Sequence, residues 1–221
     1  MSTFGDVLPL ALGVAISPMP VITVILTLLS PRARLSSTAF ALGWVVGVAA
    51  ATAALTSIST LLPSSGTPDG GLVRAVVHLA IGVLLVWLAI RAFRKRPRQG
   101  EEVAMPRWMG AFADFTPLRA FGAAALLAAA NPKNIVLIGG AAVSIGQVPA
   151  VGVAVAEAAV FVLIASLSVL VPVVAFLVAS ERISPMLEAL RDWLTRNSST
   201  IVAVLLAVLA ISSIGNGIDA L

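Results

Sequence analysis

The chain has 221 residues, 59% of them hydrophobic and only 11% charged, with a mean hydropathy of +1.06. Soluble domains carry about 25% charged residues, and a water-facing surface cannot be built from so few. This disfavours a soluble enzyme, a nucleic-acid-binding domain and a disordered chain. The absence of cysteine excludes disulfide scaffolds, thiol relays and Cys-based metal sites.

In chain order, six apolar runs stand out, at roughly 7–29, 37–62, 72–93, 118–146, 149–179 and 199–218. Each is long enough to cross a hydrocarbon core of ~30 Å as a helix. The runs are continuous rather than alternating, which argues against a β-barrel. No Lys or Arg precedes the first run, so it lacks the basic flank of a cleavable signal peptide and reads as a retained span.

The connections predict orientation. Arg32 and Arg34 follow span one, the cluster from Arg91 to Arg119 surrounds the link between spans three and four, and Arg182, Arg191 and Arg196 follow span five. These are 12 of the 14 basic residues, all on one side of a six-span arrangement. The positive-inside rule then puts these connections in the cytoplasm and both termini outside, in a multi-pass protein of the cytoplasmic (inner) membrane. Residues 1–93 would form a first three-helix repeat, 94–117 a basic cytoplasmic linker and 118–221 a second repeat. Two stretches, 105–115 and 184–194, have apolar residues at helical spacing and predict amphipathic helices in the interface. In the second, Ser184-Pro185 resembles an N-cap followed by a first-turn proline.

A shift of 114 residues lays Ser17-Pro18-Met19-Pro20 on Asn131-Pro132-Lys133-Asn134. Proline removes a backbone donor and breaks a helix, and in lipid the freed carbonyls must be satisfied by protein or cavity water. Two interrupted spans at corresponding places predict a 3+3 inverted repeat. Helices 1 and 4 would be broken at Pro, with a transport site at mid-membrane. The expected substrate-binding residues are Ser17, Pro18, Pro20, Asn131, Pro132, Lys133 and Asn134.

Lys133 and Glu157 are ionisable residues deep within spans, where charge is costly and usually faces a cavity or a partner. They are expected to pair or to share a hydrated pocket, and are the candidates for proton coupling. Thr23 and Thr27 are read as bonding back to their own helix. His78, the only histidine, is read as a packing or interhelical group. Gly43 and Gly47 form a small-xxx-small pair for close helix contact. No catalytic constellation, ATP-binding motif, metal site or cofactor site is apparent, so no enzymatic activity is expected.

Six spans in a 3+3 inverted repeat, with the two proline motifs quoted above, resemble the lysine exporter (LysE) superfamily. Within it the chain looks most like the GAP family, the glycopeptidolipid- or sulfolipid-addressing proteins. The resemblance implies a small exporter without its own ATPase, often a homodimer, that moves cell-envelope glycolipids to the surface. The lack of any acidic residue between Asp6 and Asp69 departs from the pattern of the amino-acid exporters in that superfamily. The leading expectation is a secondary transporter of an envelope lipid or its headgroup. The alternatives are an exporter of amino acids or small cations, and a non-transporting scaffold docked to a larger lipid-export complex. Membrane lipids and a lipid or small-molecule substrate are the expected partners.

Overall fold

A computed structural model describes residues 4–60, 68–94 and 115–219. Every regular element among them is an α-helix: α1 (Phe4–Ala15), α2 (Pro18–Leu28), α3 (Ala33–Ser59), α4 (Pro68–Arg94), α5 (Pro117–Ala129), α6 (Pro132–Gly146) and α7 (Val151–Ile218). α7 is not one rod. Ala179 leaves helical geometry (φ −143°, ψ 52°) and divides it into a first arm, Val151–Ser180, and a second arm, Arg182–Ile218.

Four helices are long and apolar enough to cross a membrane: α3, α4 from Gly71, and the two arms of α7. The number rises to six if each bent pair is one span; α1 and α2 meet at 48°, α5 and α6 at 61°. The surface fits this reading. Val155, Val178 and Ile211 are more than 60% exposed, and such a belt is stable only against lipid. The protein is therefore membrane-embedded.

The core is built where the helices pack closely. Phe40, Trp44, Leu137, Ile138, Phe161 and Leu206 fill one contiguous cluster. Gly43 and Gly47 let α3 lie directly on the backbone of α5. A Cβ at Gly47 would stand 2.6 Å from the Ala125 carbonyl oxygen, and one at Gly43 would strike the Phe121 carbonyl. The glycine pair thus serves a contact within the chain. Ser36 Oγ donates to the Phe115 carbonyl at 2.9 Å and fastens the entry of α5 to the start of α3.

Two expectations meet the structure differently. The stretch 105–115 lies outside the described residues except for Phe115. The stretch 184–194 is not a separate helix, because it continues into the second arm of α7. Ser184 does not cap it; its hydroxyl donates to the Ser180 carbonyl at 2.8 Å, one turn back. The chain direction changes at Ala179 instead. Pro185 is tolerated because it falls in the first turn of the second arm, where amide hydrogens have no intrahelical acceptor. Leu187 and Leu194 turn inward, while Met186 and Trp193 stay exposed.

Candidate functional site

The two proline motifs produce the two breaks. Pro18 and Pro132 each occupy the first turn of a new helix, the position where proline's missing donor costs nothing. α1 ends at Ala15 and α5 at Ala129, and α2 and α6 begin at Pro18 and Pro132. Both pairs of boundaries are 114 residues apart, the offset read from the sequence.

Each break strands carbonyls, and the structure shows what receives them. At the first break the Ser17 amide turns to Ala15 (2.7 Å), so Gly13, its regular helical acceptor, loses that donor. The Lys133 ammonium takes its place: Nζ donates to the Gly13 carbonyl at 2.6 Å. At the second break, Asn131 caps α6 by accepting from the Lys133 amide (3.0 Å). Asn134 reaches back to donate to the Ala128 carbonyl (3.1 Å) at the end of α5. Lys133 and Asn134 thus provide the polar link that joins the breaks. Both are buried, 8% and 0% exposed, whereas Pro132 is exposed.

The Asn134 side-chain oxygen is buried with no hydrogen-bond partner, leaving a free acceptor at the junction. Glu157, on the first arm of α7, is also buried.

Ser17 and Pro18 have different surroundings from the second motif. They line a groove of about 460 Å³ between the first break, α2 and both arms of α7, with Val21, Leu167, Val171 and Trp193 among its walls. Ile16, Val171 and Trp193 are exposed, so the groove opens sideways, toward lipid. Pro20 is buried within α2. The groove's polar features are few. Ser17 makes no capping bond with its side chain, and Ser168 Oγ is buried without a partner. Pro172, four residues on, has no amide hydrogen for the Ser168 carbonyl. Pro172 and Ser168 were not singled out in the sequence; a proline four residues after a serine in an apolar run was the available signal.

A second polar cluster also escaped sequence reading. Asp6, His78, Ser213 and Asn216 line a small cavity with room for about one water. Asn216 donates to Asp6 at 3.3 Å, and Ser213 to the His78 carbonyl at 2.9 Å. His78 thus sits at an interhelical contact, as expected. Thr23 and Thr27 bond back to Met19 and Val24 of their own helix.

Residues 7–219 match the family model described as Sap, sulfolipid-1-addressing protein. No curated protein and no solved structure matches the chain.

Proposed function

The chain belongs to the sulfolipid-1-addressing protein family over nearly its whole length, and on that footing we propose that it is a secondary transporter exporting a cell-envelope lipid or its headgroup across the cytoplasmic membrane. The observation that carries this reading is the groove at the first break, apolar in its walls and open to the side. A lipid already in the membrane can enter such a groove laterally, without crossing water. The groove's volume falls within the range of ligand pockets, ~300–1,000 Å³.

The matching breaks support a plan of two inverted repeats. In this proposal α1–α4 form one repeat and α5–α7 the other, in LysE-superfamily topology with both termini outside. The repeats would rock about the Lys133–Gly13 link to open the groove first inward, then outward. Lys133 and Glu157 are the proton-coupling candidates. Export of amino acids or small cations fits less well. The groove offers only two serine side chains to a polar solute.

The test is reconstitution of the full chain in liposomes carrying a fluorescent lipid in one leaflet. Transfer to the other leaflet should be accelerated by wild type and slowed when the groove is filled by Val171→Trp. Equal transfer by wild type, the filled variant and empty liposomes would sink the transport reading and leave the scaffold reading standing.

A further inference from the structure

A second cavity lies near the end of the first arm of α7. Pro31, Arg32, Arg34, Phe176 and Ser180 surround a space of about 440 Å³ at the start of α3. The groove and this space share the first arm of α7. Ser168 and Pro172 line the groove, while Phe176 and Ser180 line the basic space. Ser168, Pro172 and Phe176 are spaced four apart and follow one another along the helix surface, and Ser180 lies just past the bend at Ala179. Ten residues separate Ser168 from Val178, the last before the bend, which is ~15 Å at the α-helical rise. One leaflet of a hydrocarbon core ~30 Å thick has nearly that depth.

Arg32 and Arg34 are exposed. Neither makes a side-chain hydrogen bond or ion pair with another described residue, where Arg191, by contrast, is tied to Asp192 at 2.8 Å. Two unspent guanidinium groups beside one end of an apolar groove match the two parts of an anionic lipid, a charged head and an acyl chain. Guanidinium forks bind phosphate or sulfate oxygens in pairs.

We propose that Arg32 and Arg34 form the headgroup subsite of a single-leaflet lipid site, holding the anionic head of a lipid whose acyl chain lies in the Ser17–Ser168 groove. This rests on the lipid reading above and adds to it the charge of the ligand and the residues that read it. The same arginines contribute to orientation, and ten other basic residues remain on that side when both are changed.

Binding is measured with the full chain in neutral detergent, titrated with phosphatidylglycerol or phosphatidylcholine bearing the same brominated acyl chains. Bromine quenches Trp193, which lines the groove; subtracting the signal of Trp193→Phe isolates it from the other tryptophans. Wild type should bind the anionic lipid more tightly by roughly ten- to thirtyfold, the range expected for two arginines near a headgroup. Arg32→Gln with Arg34→Gln should reduce that preference to about twofold or less, and the paired Lys variant should restore most of it. Val171→Phe should weaken both lipids. An unchanged preference in the double Gln variant would overturn the proposal. So would competition by glycerol phosphate as strong as that of the whole lipid, since the groove would then contribute nothing. If the preference holds but no lipid crosses the bilayer, export falls and the site stands. If the double Gln variant exports at the wild-type rate, the site falls and export stands.

Discussion

Lys133 donates its ammonium to the Gly13 carbonyl across 120 residues of sequence, at 2.6 Å. A broken helix in one half of the chain is completed by a side chain from the other half. Replacing Lys133 with Met leaves that carbonyl without a donor, at a cost of ~1–3 kcal/mol. Removing a buried ammonium relieves its desolvation and offsets part of this. The net loss in stability should be about 1 kcal/mol, a few degrees in a thermal melt. Lipid transfer in liposomes should fall by at least tenfold, because the link between the two breaks is gone. Wild-type transfer by this variant would show that the link is only structural.

Gly43 and Gly47 face backbone, which cannot move aside as a flexible side chain can. Gly43→Leu should force α3 from α5 and cost about 1–3 kcal/mol or more. Gly139, whose Cβ would meet nothing within 4 Å, provides the contrast. Gly139→Ala should leave stability equal or raise it by roughly 0.5–1 kcal/mol, the usual gain of alanine over glycine inside a helix. Size-exclusion profiles and melting of the purified variants separate the two outcomes.

Asn131 and Asn134 act on opposite sides of the second break. Asn131→Ala removes a cap that binds the Lys133 amide and should cost about 1 kcal/mol, with Asn131→Ser recovering most of it. Asn134→Leu removes the donor to the Ala128 carbonyl and should cost ~1–3 kcal/mol. Serine at 134 is too short to span the break and should not rescue. Equal rescue by serine at both positions would contradict these separate roles.

Glu157 is buried in the first arm of α7, and the proposed function makes it a candidate for proton coupling. Glu157→Gln keeps its shape and removes its acidic group. Lipid transfer by this variant should lose its dependence on pH when measured in liposomes from pH 5 to pH 8. Transfer that follows the wild-type profile at every pH would remove Glu157 from the coupling step.

The sequence carried the breaks well, because proline acts locally: Pro18 and Pro132 start new helices wherever the rest of the chain goes. The glycine pair was legible as a close contact, but its partner, the backbone of α5, has no sequence signature. For the same reason Gly13 could not be named as an acceptor for Lys133. The bend in α7 at Ala179 coincides with the end of the apolar run 149–179, whereas the helical continuation through 184–194 into the last span was hidden, because Ser184-Pro185 has the pattern of a helix start. The groove needed three distant segments to be seen, and only Ser17 and Pro18 marked it in advance.

The hydrogen bond from Lys133 also fixes an order of assembly. During synthesis the first half of the chain enters the membrane before its donor has been made, with the Gly13 carbonyl still waiting. That half cannot reach its final form alone, so the N-terminal half expressed by itself should be degraded in the cell and rescued by co-expressing the C-terminal half.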